Sequence, residues 1–370
     1  MSRITWFKSK VIDFRFQRYA LLALLAAALF GVSSPLAKLL LGSASPVMLA
    51  GLLYLGSGLG LLIAHGAKII VFPDALSGRN ESGLRGSDYA WLAGSVAAGG
   101  VAAPVLLLWG LSGSPASSAS LLLNLEGVLT TLLAAALFRE AVGRRVWLGS
   151  FLMLTGGLAL AYDPDAAYAF SPSLLAIAGA CLMWALDNNL TRNISTGNPM
   201  TIAMVKGLAA GTVNLGLGFA GGAGLPQPGP LAGALLLGAF SYGVSLVLFI
   251  HALRHLGSAR TAAHFGTAPF LGAAVSILLL GEPLSAAFAL AALLMLAATI
   301  VVLTERHGHE HIHEHLEHAH RHIHDAHHQH EHDGSEGPEP HAHLHVHEPM
   351  MHSHPHLPDV HHRHRHDGAP

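Results

Sequence analysis

One cysteine, Cys181, stands in 370 residues. A lone cysteine excludes an intrachain disulfide framework, and its place inside an apolar run gives it the role of a small packing residue. Charge is scarce too: Asp, Glu, Lys and Arg together make up 11% of the chain. No P-loop of the form GxxxxGKS/T occurs, so nothing marks a nucleotide-driven pump. No His-x-x-x-Asp pair falls within an apolar run, so the evenly placed ligand sets of metal carriers are missing. The N-terminus lacks the marks of a secretory signal, because the apolar run after Arg18 is too long and no small-residue cleavage site follows it. Residues 1–18, with Arg3, Lys8, Lys10, Arg15 and Arg18, are expected to form a basic cytoplasmic cap.

What the chain has is apolar length. Hydrophobic residues are 52%, and they fall in ten runs near the ~20 residues a helix needs to cross a bilayer. The spans are predicted at 19–42, 46–65, 89–111, 116–138, 145–162, 173–191, 198–220, 231–253, 258–281 and 285–304. Glycines such as Gly51, Gly56 and Gly60 in span 2, and Gly207, Gly211 and Gly216 in span 7, suit close helix packing in lipid. Arginine and lysine fill alternate loops: Lys68, Arg79 and Arg85 after span 2, Arg139, Arg144 and Arg145 after span 4, Arg192 after span 6, and Arg254 and Arg260 after span 8. The positive-inside rule then puts both termini in the cytoplasm of an inner or plasma membrane and requires an even number of spans.

The stretch Gly113–Ala161 is written again as Gly257–Leu303. Gly113-Ser114 answers Gly257-Ser258, and the turn "LFRE" ending at Glu140 answers "LLGE" ending at Glu282. Leu148 and Leu152-Met153-Leu154 answer Leu290 and Leu294-Met295-Leu296, 142 residues on. A fainter echo links "FGVSSPLAK" at 30–38 with "WALDNNLTR" at 184–192, so that Lys38 caps the outer end of span 1 and Arg192 the inner end of span 6. Five spans per copy, an odd number, turn the second copy upside down. The predicted fold is therefore all-α and integral to the membrane: ten transmembrane helices in two inverted five-helix repeats, with the substrate site near the midplane between them.

This pattern resembles the EamA-type carriers of the drug/metabolite transporter superfamily, over about residues 19–304. The resemblance implies a basic N-terminus at 1–18, a first repeat at 19–162, an outer linker at 163–172, a second repeat at 173–304 and an appended tail at 305–370. It also implies a secondary transporter rather than an enzyme. One departure stands out: Pro269 sits mid-span in span 9, whereas the equivalent part of span 4 reads "NLEG", Asn124 to Gly127.

Ionisable groups inside a membrane are costly and mark function. Glu126 lies near the middle of span 4, and Lys206 lies ~12 Å into span 7. They are expected either to form an ion pair across the bundle or to be the two poles of a site for a polar, zwitterionic solute or a proton. Asp187 and Asn188, with Asn189, lie toward the inner end of span 6 and also read as an interfacial cap. Ser33, Ser34 and Pro35 break span 1, and Pro104 does so in span 3, where freed backbone groups suit a cavity wall. Trp109, Trp184 and Tyr242 are candidate pocket aromatics.

From His307 the composition changes: 24 of the 28 histidines follow Arg306. They alternate at His307, His309, His311, His313 and His315, at His341, His343, His345 and His347, at His352, His354 and His356, and at His362, His364 and His366. No apolar core is available here, so a disordered tail is expected. Neutral imidazole suits Ni, Zn, Co or Cu, and the tail is expected to bind such a divalent ion, with no cofactor required by the carrier. With neutral histidine residues 306–370 carry −7, and acidification toward ~6.5 begins to reverse it. His251 and His255, an i, i+4 pair, and His264 form a second candidate ligand set at the cytoplasmic edge. Lipid, a small solute and transition-metal ions are the expected partners; nucleic acid is not, and a homodimer is compatible with the pattern. Three readings follow: export of a small organic metabolite with a metal-binding tail, export of a transition metal or its chelate, or a membrane-anchored metal-buffering module.

Overall fold

The structure, a computed structural model, describes residues 3–71, 88–138, 142–162, 170–191, 194, 199–256 and 258–304, and in the tail 308–313, 316–322, 341–347 and 350–355. Among the described residues, nine helices are long and apolar enough to cross a membrane: Gln17–Leu40, Pro46–Gly66, Asp88–Ser112, Ala116–Leu137, Pro172–Thr191, Met200–Ala220, Pro228–Leu253, Arg260–Leu280 and Ala286–Leu303. A further helix, Arg144–Ala161, opens on two arginines and packs along Ala286–Leu303. In chain order these are spans 1–10, with Arg144–Ala161 as span 5. A helix closes its own backbone hydrogen bonds, so it can cross hydrocarbon where an irregular chain cannot.

The packing follows the inverted repeat. Spans 2 and 7, 4 and 9, and 5 and 10 pack as mutual counterparts, while the pair 3–6 is mirrored by 1–8 and the pair 4–6 by 1–9. Span 3 widens into a π-helical turn at Val96–Ala102, and span 8 does the same at Gly238–Val244, again 142 residues on. Spans 4 and 9 are both interrupted, at Leu123–Asn124 and at Gly266–Thr267, and span 1 is interrupted at Gly31–Val32. The break in span 1 thus precedes Ser33, and Pro35 falls in the first turn of the following helix, where its missing N–H costs nothing. Pro104 does not break span 3; it begins the α-helix that follows the π-helical turn.

Spans 2 and 7 meet backbone to backbone. A Cβ on Gly207 would lie 2.9 Å from Gly58 Cα, and one on Gly58 would lie 2.6 Å from the Leu208 nitrogen. Gly51, Gly56, Gly60 and Gly211 also face close neighbours, whereas Gly216 faces open space. Gly207→Val is therefore expected to lower the thermal midpoint of the purified protein, at an overpacking cost of about 1–3 kcal/mol. Gly216→Val should leave it unchanged. Equal midpoints for the two variants would contradict this reading of the interface.

In the tail, expected to be disordered, the described residues form two antiparallel ladders. Gly308–His313 pairs with Met350–Pro355, and Leu316–His322 pairs with His341–His347. Strict alternation supplies the period of two that a strand requires. The register sets His309 opposite His354, His311 opposite His352, His318 opposite His345, His320 opposite His343 and His322 opposite His341.

Candidate substrate and coupling site

Two polar clusters lie within the bundle. In the first, Lys206 Nζ of span 7 donates to both carboxylate oxygens of Asp187 in span 6, at 2.6 and 2.7 Å. Thr191 donates to Asp187 Oδ1 at 2.9 Å, and Ser95 of span 3 donates to the same oxygen. Lys206 also reaches Thr191 Oγ1 at 3.3 Å, and the Ser95 and Thr191 hydroxyls lie 2.9 Å apart. Both side chains of the ion pair are largely buried, at 17% exposure for Lys206 and 9% for Asp187. Asp187 Oδ1 thus accepts from three donors and Oδ2 from one, the kind of pairing and hydrogen bonding a buried charge needs to persist.

The second cluster is centred on Glu126. Ten residues into span 4, at 1.5 Å per residue, it lies about 15 Å deep, near the middle of a ~30 Å hydrocarbon core. Asn188 Nδ2 donates to Glu126 Oε1 at 2.9 Å and to Thr130 Oγ1 at 3.3 Å. Thr130 in turn donates to the Glu126 carbonyl at 2.8 Å. Among the described residues, no cation forms an ion pair with Glu126; the pair within the spans is Asp187–Lys206. Asn188 is exposed, while Asp187 and Asn189 on either side are buried.

The predicted Glu126–Lys206 pair is thus not formed, and Asp187 is no interfacial cap. The reason is geometric. Asp187 is on the side of span 6 that meets Lys206 of span 7, whereas Asn188, the next residue along the helix, is on the side that meets Glu126 of span 4.

Span 3 positions the first cluster through its π-helical turn. A Cβ on Gly99 would collide with the Asp187 carboxylate, so only glycine fits there. The turn's carbonyls find side-chain donors: Gly99 O accepts from Tyr54 Oη at 2.7 Å and from Trp184 Nε1 at 3.0 Å, and Gly100 O accepts from Asn214 Nδ2 at 3.0 Å. The sequence reading did not find Tyr54, Ser95, Thr191 or Asn214. Tyr242 lies tilted against Tyr54, with centroids 5.9 Å apart, and edge-to-face with Phe30, at 5.8 Å. Phe265 continues the row beside Phe30 and Phe249. Trp109 is 51% exposed and belongs to the outer surface of the bundle rather than to this wall.

Other predicted residues are placed apart from the two clusters. Ser33 and Ser34 are buried at the break in span 1, with Ser33 beside the Tyr242 hydroxyl. Asn124 bonds back to its own helix, at the Leu121 carbonyl. His264 Nδ1 lies 2.6 Å from the Arg260 carbonyl in its own helix, His251 is exposed, and the His255 side chain lies outside the described residues. Among the described residues, no three His, Cys, Asp or Glu side chains gather to hold a metal ion. His307, His315, His356, His362, His364 and His366 also lie outside the described residues.

Inverted repeats, interrupted helices and ionisable groups within the spans are features of a membrane transporter. The chain belongs to the EamA-like transporter family, whose pattern matches it twice, at residues 17–162 and 171–304. It is 29% identical over 290 residues to an uncharacterized transporter of Methanothermobacter thermautotrophicus, covering 75% of this chain and 83% of the relative. It is 34% identical over 191 residues to an uncharacterized protein of Pseudomonas aeruginosa, covering 50% of this chain and 65% of that protein. A solved crystal structure shares the fold, with a TM-score of 0.57 at 19% identity over 77% of this chain and 95% of that one.

Proposed function

We propose that this membrane transporter exports a small organic solute bearing a cationic group, in exchange for protons, with Glu126 as the shared carboxylate. One observation carries the reading. Asp187 has its ion-pair partner in Lys206, whereas Glu126, which feels that same lysine only at longer range, forms no ion pair of its own among the described residues. A carboxylate held at mid-depth needs a positive partner. A solute ammonium entering from one face and a proton entering from the other satisfy it in turn. Because both use the same oxygens, each excludes the other, and that competition couples the two fluxes. Asn188 holds the carboxylate in place, and the Tyr54–Tyr242–Phe30 row offers aromatic faces to a cation.

The test is thermal stabilisation of the purified full-length protein by a panel of amines, zwitterions and carboxylates. A ligand that binds only the folded state raises the midpoint in proportion to RT ln(1 + [L]/Kd). Amines and zwitterions should stabilise the protein and lose that effect in Glu126→Gln. Stabilisation by carboxylates alone would reject the reading.

A second reading concerns the tail, which we take to be cytoplasmic. Twenty-four histidines after Arg306 favour binding of a divalent transition metal, and the ladder register supports it by setting histidine opposite histidine, including His318, His320 and His322, which the alternation count passed over. Cross-strand neighbours have Cβ atoms about 4.5–5.5 Å apart, within reach of one ion. The tail then either buffers metal beside an organic-solute carrier or collects metal for export. Equilibrium dialysis of the full chain against Zn or Ni should find several ions bound, and a chain ending at Arg306 should lose them. Equal binding by both chains would remove the tail from the account.

A further inference from the structure

At the face opposite the start of span 1, two segments converge on the short connection between spans 3 and 4. Lys38, in the last turn of span 1, donates to the carbonyls of Leu111 at 2.5 Å, Ser114 at 2.9 Å and Ser112 at 3.3 Å. These are carbonyls that the end of span 3 leaves without helical partners, and a cation there is favourable. Glu282, just after span 9, accepts from the backbone N–H of Ala116 at 2.6 Å on one carboxylate oxygen and from that of Ser117 at 2.8 Å on the other. Those amides open span 4, where an anion is favourable for the converse reason. Gly281, in the left-handed conformation at φ 64°, ends the preceding helix and turns the chain so that Glu282 follows it.

The two contacts differ in what they join. Lys38 ties together two spans of the first repeat. Glu282 belongs to the second repeat and grips the first. Each carboxylate oxygen accepts one amide and the ammonium reaches three carbonyls, so both side chains are bound to the backbone of this one connection. Directly beneath, spans 1, 4 and 9 come together around small residues. A Cβ on Gly272 would lie 3.0 Å from Ser120 Oγ, and one on Gly31 would meet the Ala268 carbonyl. Ser117 and Ser120 are buried there, at 2% and 1% exposure. The structure therefore shows this face closed, and closed by a contact that crosses the boundary between repeats.

We propose that Glu282 is the latch of this face and Lys38 its anchor: the carboxylate must leave the Ala116 and Ser117 amides before spans 4 and 9 separate and the central site opens on this side. The proposal rests on the transporter reading above, because a latch has work to do only where the two repeats move apart. The arrangement gives the glutamate after the fourth span of the second repeat a partner in the first. Glu140, the counterpart in the first repeat, lies outside the described residues.

The experiment reads opening without any solute, so failure of the latch and failure of the transport reading stay distinct. In the full chain with Cys181→Ala, Ser120→Cys reports access beneath the latch and Ser43→Cys reports access to the exposed loop after span 1. Labelling by a membrane-impermeant maleimide is followed in sided vesicles. Glu282→Ala should raise the labelling rate at position 120 by about tenfold, the shift expected when one state loses a charge-assisted clasp, and leave position 43 unchanged. Lys38→Met should do the same to a smaller extent, and Glu282→Gln, which keeps one acceptor oxygen, should fall between Glu282→Ala and the parent. An unchanged rate at position 120 in Glu282→Ala that elutes as a folded species overturns the proposal. If Glu282→Ala does not fold, the Glu282→Gln and Lys38→Met rates decide in the same way, no change in either being fatal.

Discussion

Glu126→Gln is expected to abolish proton-driven solute flux in reconstituted vesicles while leaving the protein folded. The amide keeps an oxygen where Oε1 accepts from Asn188, so the 2.9 Å bond and its contacts with span 6 survive. What disappears is the negative charge. Removing one partner of a desolvated charge pair costs about 2–5 kcal/mol, a fall in cationic-solute affinity of roughly thirty- to several-thousand-fold. Coupling fails for a second reason, since glutamine cannot release and take up the proton that competes with the solute. An imposed pH gradient should then drive no accumulation, and counterflow of labelled solute should be equally weak. If gradient-driven flux continues at the parent rate in Glu126→Gln, Glu126 is a packing residue and the coupling group lies elsewhere.

The sequence made Glu126 conspicuous and left Asp187 with two readings, site residue or cap, for one physical reason. A carboxylate in the middle of an apolar run has no innocent reading, because membrane interiors admit charge only for function or in pairs. A carboxylate in "LDNN", near a span end, has the ordinary reading of a cap. The signal that separates the two is relational: Asp187 and Lys206 lie at similar depths from one face, on consecutive spans. Counting rise per residue from each end brings those two together, but only the helix face tells Asp187, which meets Lys206, from Asn188, which meets Glu126. The repeat was legible to the residue. Its offset of 142 recurs in the paired π-helical turns, yet the turns themselves carry no side-chain signature beyond glycine and were not predicted. Lys38 was read as capping its own span, but it caps span 3. Glu282 was legible as a repeat marker, though not as a clasp, because its partners are backbone amides, which a sequence does not display.

Asp187→Asn and Lys206→Met, made singly, are each expected to destabilise the protein severely, and made together to restore much of the loss. Each single change strands one charge among buried neighbours. Asp187→Asn leaves an ammonium facing Thr191 and Ser95 with no anion; Lys206→Met leaves a carboxylate held by two hydroxyls and pressed against Gly99. Breaking a buried pair in this way costs about 3–5 kcal/mol, whereas replacing both partners with neutral groups of similar size is often close to neutral. The double variant should therefore melt nearer the parent than either single variant does, and the cycle should show strong non-additivity. Flux separates structure from function. With both charges gone and the fold intact, the Glu126 site is still present, so the double variant should retain proton-coupled flux if the pair is a strut between spans 6 and 7. Loss of flux in a double variant that melts like the parent would make the pair part of the coupling path. A double variant no more stable than the single ones would show that Ser95 and Thr191 were organised for the carboxylate itself, with Lys206 secondary.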